Sequence, residues 1–287
     1  MNGLDDVGLD RWLADMRPRL HSFCGRMMGS AIDGEDIVQE AMARAAQSYA
    51  RAAPIDRPEA WLFRIARNAA IDTLRQRRSD VVMLDEEDAD PGADSAARVE
   101  VTLGFTAFLP LPPPQRASVV LVDVLGYSLA ETASILETTI AAVKAALHRG
   151  RLRLAKPAIL PAATVDDREQ LRLRAYADLF NAREFDALRD LLAADVRLDL
   201  PPRIKLTGKA DVSIYFERYS SAATAWRFEP VMADGQPALL GTDPEDSTNC
   251  FVVRLDWFDG RIVAIRDFLY ARYVMDGAQL RPLHRLG

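Results

Sequence analysis

The stretch Gly126–Leu154, GYSLAETASILETTIAAVKAALHRGRLRL, decides how this chain is read. Ser128 followed by Glu131 is a capping box, in which hydroxyl and carboxylate each satisfy a free backbone N–H of the first turn. It opens a short helix that runs to about Leu136. Glu137 and Thr138 make the turn, and Thr139 caps a second helix. At helical spacing the second helix buries Ile140, Val143, Leu147 and Leu154 and leaves Ala141, Ala142, Ala145, Ala146, Arg149 and Arg153 outward. Two short helices with a tight turn, the second ending in HRGRLRL, form a helix-turn-helix pattern. A purely structural helical hairpin shares this spacing, but the basic end Lys144, His148, Arg149, Arg151 and Arg153 favours DNA.

Upstream, a helix starts near Pro58–Glu59. Leu62, Ile65, Ala66, Ala69 and Thr73 fall in one arc and face the core. Arg64, Arg67, Asn68, Asp72, Arg75 and Arg78 fall opposite, and so does Trp61. An aromatic ring on a basic face suits stacking on an unpaired base while arginines hold phosphates, and cover by a neighbouring loop is the plainer reading. The segment Asp33–Arg44 reads as another helix, with Asp33 as its cap and Asp36 in the first turn. Ile37, Val38, Ala41, Met42 and Ala45 make its apolar stripe, and Glu35, Asp36, Gln39 and Glu40 lie largely outside it.

The whole chain has 287 residues, 49% of them hydrophobic and 27% charged, which argues against wholesale disorder and suggests two or three domains. The net charge of −6 divides about evenly between the parts before and after residue 156, so bulk charge gives no sign of nucleic-acid binding. Any basic surface must therefore be local. Cys24 and Cys250 form no metal-ligand or dithiol pattern, and no metal or cofactor is expected. No apolar run approaches the roughly 20 residues that span a bilayer, and MNGLDDVGLD is no signal peptide, so a cytoplasmic protein without membrane insertion is expected. The run LDEEDADPGAD at 84–94 reads as a solvated linker.

In order and spacing, IDGEDIVQEAMARA, RPEAWLFRIARNAAIDTLRQRR and LPPPQRASVVLVDVLGYSLAETASILETTIAAVKAALHRGRLRL together resemble the extracytoplasmic-function group of bacterial sigma-70-type sigma factors. The resemblance implies a multidomain chain with two all-α sigma domains, a helical bundle at 10–79 and a helix-turn-helix domain at 104–156, joined by the acidic linker at 80–103. It implies that core RNA polymerase is met by Asp33, Glu35, Asp36, Val38, Gln39 and Glu40. The −10 promoter element falls to Trp61, Arg64, Arg67, Asn68, Asp72, Arg75 and Arg78, and the −35 element to Thr139, Ala142, Lys144, Ala145, His148, Arg149, Arg151 and Arg153. Phosphate contacts would position and base contacts specify. Two departures stand out: Glu137 occupies a turn position where the family usually has Gly, and Ala142, Ala145 and Ala146 offer base edges only apolar contact.

From about 165 the pattern changes. DREQLRLRAYADLFNAREFDALRDLLAADVRLDL reads as helix, turn, helix and strand. GKADVSIYFERYS reads as a further helix, and strands follow near 226–233, 249–258 and 261–272, the last two joined by an Asp-Gly turn in FDGR. YADLFNAREFDALRDLLAADVRLDL resembles the SnoaL-like, cone-shaped α+β domain of the NTF2-like superfamily, expected over 165–287. Asp199, Trp226, Asp267 and Tyr270 are candidate pocket residues for an unknown small ligand, with Asp267 foremost. No paired acid–base signature is present, so no catalytic residue is assigned. A fused domain that tunes sigma activity, beside or in place of an anti-sigma partner, is the reading that this second resemblance implies. A polymerase-independent helix-turn-helix regulator and a fusion to an isomerase or hydrolase are the alternatives.

Overall fold

The structure, a computed structural model, describes residues 6–49, 55–78, 104–155, 165–202 and 204–283; the acidic run and the connection at 156–164 lie outside them. The chain forms two compact units, Met1–Leu160 and Pro161–Gly287.

The first unit begins with helices α1 (Asp6–Met28), α2 (Ala31–Tyr49) and α3 (Pro58–Arg78). Gly29, at φ +74°, takes the left-handed conformation that ends a helix, and its N–H donates to the Gly25 carbonyl. Ser30 then caps α2, its hydroxyl accepting from the Asp33 N–H at 3.2 Å. Asp33 is therefore not the cap expected from sequence. It sits inside the first turn, buried, and pairs with Arg77 at 2.9 Å. Helices α1 and α2 approach through two glycines, since a Cβ on Gly34 would lie 2.5 Å from the Gly25 Cα. Phe23, Met27, Ile37, Val38, Leu62 and Phe63 fill the space between the three helices. Each such side chain contributes roughly 1.5–3 kcal/mol of burial.

The remainder of this unit shares that core. A 3₁₀ turn (Phe105–Phe108) leads to α4 (Pro113–Val119), which widens into a π turn through Val124, then to α5 (Leu129–Leu136) and α6 (Ile140–Leu154). Arg26 lies 5.2 and 5.6 Å from the ring centres of Phe105 and Phe108, and burial lowers its pKa to about 10. Arg116 is buried and donates to the carbonyls of Met27, Leu109 (2.8 Å) and Leu111 (2.9 Å). Cys24 is fully buried, and its thiol is held well above its usual pKa by desolvation and by nearby Glu35.

In the second unit α7 (Asp167–Asn181), α8 (Phe185–Asp190) and α9 (Lys209–Ser221) accompany a seven-stranded sheet. Its strands are β1 (Leu192–Leu200), β2 (Ile204–Thr207), β3 (Arg227–Ala233), β4 (Gln236–Thr242), β5 (Cys250–Phe258), β6 (Arg261–Asp267) and β7 (Leu280–Pro282). Their order is β2-β1-β6-β5-β4-β3-β7, with β1 and β6 parallel and the other neighbours antiparallel. Asp259 and Gly260 have φ +45° and +74°, the two positive values that a tight Asp-Gly hairpin turn needs. Asp234 and Gly235 repeat the device between β3 and β4, so β4 adds a strand to those expected. β6 ends at Asp267, short of the expected 272, where the chain leaves the sheet. The rings of Phe180 and Phe228 stack at 3.9 Å, and the Asn181 amide exchanges two 2.9 Å hydrogen bonds with the Phe228 backbone, fastening α7 to β3. Among the described residues the first unit is all-α and the second is α+β, so the chain is multidomain.

His21 makes the first unit acid-sensitive. Its ring is buried with Nε2 2.8 Å from the Ala31 carbonyl, and desolvation lowers its pKa from 6.5 to about 4. The unfolded chain therefore binds more protons between those values, so stability is lost as pH falls from about 6.5 to about 4. The loss amounts to roughly 3 kcal/mol. Thermal unfolding across that window checks this: His21→Gln flattens the profile relative to the parent, and identical profiles would refute the assignment.

Candidate nucleic-acid interface

The outer face of α3 is basic and open in part. Asn68, Asp72 and Arg75 are exposed, and Arg67 reaches the Asn68 side chain at 3.3 Å; the Arg78 side chain lies outside the described residues. Trp61 is only half exposed. Its ring lies 6.4 Å from Tyr49 of α2 and packs against the core, so neither a bare stacking platform nor loop cover describes it. Phe63, absent from the expected core arc, is fully buried edge-on to Phe23 (5.6 Å) and Tyr127 (5.4 Å). The face of α2 is narrower than expected. Asp36, Gln39 and Glu40 are half exposed, whereas Glu35 and Val38 are buried. Glu35 is compensated by Arg17 at 2.6 Å, which places it in the core and not on the surface. A groove of about 360 Å³ between α2 and α3 runs past Glu40, Arg44, Asp72 and Arg75.

The helix-turn-helix has the caps read from sequence. Ser128 Oγ accepts from the Glu131 N–H (3.2 Å), Glu131 accepts from the Ser128 N–H (2.8 Å), and Thr139 accepts from the Ala142 N–H (3.1 Å). The faces of α6 need two corrections. Ile140 is 46% exposed, and Ala146 is buried near Gly150, whose missing side chain admits Val119 of α4. Ala142 and Lys144 are exposed, and Ala145, Arg149 and Arg153 are half exposed. Arg151 is held by Asp123 through two bonds of 2.7 and 3.0 Å, and the Asp123 side chain is fully buried. That pairing makes Arg151 a clamp on α6 and not an outward reader. His148 keeps a buried Nε2 with no hydrogen-bond partner on the same helix.

The two recognition elements touch one another. Tyr127, just before α5, donates its hydroxyl to Glu59 at the start of α3, and burial beside this carboxylate raises the phenol pKa. Arg19 pairs with the same Glu59 at 2.6 Å and lies 5.1 Å from the Tyr127 ring centre. Arg64, from the basic face, pairs with Glu137 at 3.0 Å. Glu137 is the helix–helix turn residue, at φ +53°, a conformation that costs a non-glycine residue about 1–2 kcal/mol.

In the second unit Asp199 pairs with Lys205 (3.4 Å) across the β1–β2 ladder and does not line the cavity expected for it. Trp226, Asp267 and Tyr270 do line one, of about 90 Å³.

Three family models match the chain: Sigma-70 region 2 over residues 13–79, Sigma-70 region 4 over 107–154 and a SnoaL-like domain over 173–265. The ECF RNA polymerase sigma factor SigG of Mycobacterium tuberculosis is 30% identical over 261 residues, covering 77% of this chain and 70% of SigG. SigM of the same organism, also an ECF RNA polymerase sigma factor, is 35% identical over 156 residues, 53% of this chain and 78% of SigM. The crystal structure of the M. tuberculosis extracytoplasmic-function sigma factor SigJ aligns over 93% of this chain and 98% of that one, with a TM-score of 0.37 and 22% identity.

Glu137 can be tested by exchange. An exposed ion pair contributes at most about 1 kcal/mol, no more than the backbone strain it accompanies. Glu137→Gly should therefore leave thermal stability within about 1 kcal/mol of the parent, while Glu137→Gln, which keeps the strain and loses the charge, unfolds earlier. A larger loss from the glycine exchange than from the glutamine would show that the left-handed turn position carries no such strain.

Proposed function

Because the chain belongs to the extracytoplasmic-function family of RNA polymerase sigma factors, we propose that it docks on core RNA polymerase and reads promoter DNA at −10 and −35 elements to start transcription. The SnoaL-like unit tunes that activity. The observation that carries this reading is one compact unit holding, in chain order, a polar α2 face, a basic α3 face beside Trp61 and a doubly capped helix-turn-helix. Asp36, Gln39 and Glu40 are its polymerase-facing groups. Trp61 and Asn68 hold unpaired bases while Arg67, Arg75 and a released Arg64 hold phosphates. On α6, Lys144, Arg149 and Arg153 supply phosphate contacts, and the exposed Ala142 meets bases only through apolar contact.

The arrangement described is a closed one. Elements 25 base pairs apart lie about 85 Å apart along the duplex at about 3.4 Å per step. A domain of this size is roughly 40 Å across, so α3 and α6 cannot serve both elements while packed together. Opening must break the Arg64–Glu137 and Tyr127–Glu59 contacts. Until then Glu137 occupies Arg64 as a phosphate would.

A sigma factor works in the cytoplasm, and no described helix is long and apolar enough to cross a membrane. The second unit is given a tuning role and no catalytic step, as part of a sigma factor. Tethering keeps it at high effective concentration near the first unit, so it biases the open–closed balance if it favours one form.

Reconstitution with core RNA polymerase tests the reading. The full chain should co-elute with core and support run-off transcription from a matching promoter, and Arg149→Ala should reduce output by about tenfold, as loss of a charged contact worth about 1.4 kcal/mol would. Truncation after Leu160 should change output in either direction, and unaltered output would remove the tuning role. Failure of every form to bind core would overturn the function itself.

A further inference from the structure

The cavity in the second unit has a chemistry of its own. Asp267 is fully buried, and no ion pair to it occurs among the described residues. Its Oδ2 accepts from the hydroxyls of Tyr215 (2.8 Å) and Tyr219 (2.6 Å), and its Oδ1 from the Leu269 N–H (2.8 Å). A group that only accepts, from three donors, is bonded as a carboxylate. Burial raises its pKa on balance, and those three hydrogen bonds, which favour the charged form, hold the rise back. The phenols, buried beside it, are pushed well above their usual range and stay protonated.

This pattern fixes what the cavity can offer. The Tyr215 and Tyr219 protons are committed to Asp267, so their oxygens present acceptor lone pairs backed by a negative charge. Burial, and then nearby Asp267, raise the pKa of Tyr176 as well, and its buried hydroxyl has no hydrogen-bond partner among the described residues. Tyr215, Tyr219, Trp226 and Tyr270 give the cavity aromatic walls, and Arg218, an exposed side chain, also lines it. Beside Asp267 the Tyr215 and Tyr219 protons are already used, so a carbonyl or an anion would have to draw its donors from the exposed Arg218 or from Trp226. The complementary ligand donates hydrogen bonds, carries positive charge and packs on rings. Its size is bounded, because a 150 Å³ cavity takes benzene and about 90 Å³ takes a head group of roughly four or five heavy atoms.

We propose that this cavity is a binding site for a small organic ammonium ion, met first by the hydroxyl oxygens of Tyr215 and Tyr219 and neutralised by Asp267 behind them. Asp267 has no solvent-accessible surface, so the tyrosine oxygens make the direct contacts and the carboxylate supplies the field. Trp226 and Tyr270 cover the alkyl part. The proposal concerns the second unit alone and does not depend on the transcriptional role.

Isothermal titration of the full-length protein with ethylammonium, dimethylammonium, tetramethylammonium, propanol and acetate tests it. Saturable binding of ethylammonium and dimethylammonium is expected. Tetramethylammonium, which has no N–H, should bind several-fold more weakly, and propanol and acetate should not saturate. Asp267→Asn should weaken ethylammonium binding by about tenfold or more, the loss of a charge interaction worth about 1.4 kcal/mol. Trp226→Leu, at a half-exposed site and with an unchanged thermal unfolding midpoint showing that the fold is kept, should weaken it by about threefold. Propanol or acetate binding as well as the amines, or Trp226→Leu and Asp267→Asn both leaving ethylammonium affinity unchanged, would overturn the proposal, as would no saturable amine binding by the parent.

Discussion

A single buried guanidinium, that of Arg116, is the constraint on which the first unit depends. It closes three carbonyls that would otherwise be stranded: the last turn of α1 through Met27, and the bend before α4 through Leu109 and Leu111. Hydrogen bonds to a charged group contribute about 1.5–3 kcal/mol each, and an unmet buried carbonyl costs a comparable amount. Fixing α4 against α1 fixes α6 in turn, because Gly150 lets Val119 sit against the recognition helix and Asp123 clamps Arg151. The orientation of the helix-turn-helix is thus inherited from a contact far from its own recognition face.

On the proposed reading, the pairing of Arg64 with Glu137 competes with DNA. The three-helix segment offers a cation, the helix-turn-helix offers an anion at a strained turn, and duplex DNA offers many anions. The exposed pair is weak and screened by salt, which on the proposed reading lets phosphate contacts replace it. Tyr127, Glu59 and Arg19 form the rest of the same seam, which the proposed opening would also have to break.

Much of this was legible in the sequence, because caps and turns are local. The Ser128–Glu131 box, the Thr139 cap and the Asp259–Gly260 turn follow from neighbouring residues, and the structure holds all three. Ser30 was equally local, but Asp33 is as good a cap by type and drew the helix start three residues late. Burial was harder to read. Glu35 looks like a surface acid until Arg17, eighteen residues away, is brought to it, and Asp199 looks like a pocket acid until strand pairing delivers Lys205. Ala146 and Ile140 exchanged roles because one helix face packs on α4 only along part of its length. Strand β4 was missed although ADGQ carries the same turn as FDGR, since PALLG shows no alternation to mark it.

Cys24 has a practical consequence. A thiol with no exposure and a strongly raised pKa supplies almost no thiolate, so alkylating reagents and oxidants bypass it while the fold is intact. Cys250, half buried on β5, is the other cysteine in the chain. A maleimide fluorophore or spin label applied to the native protein would therefore mark one position only, giving a built-in reporter on the C-terminal unit without any cysteine having to be engineered in or out.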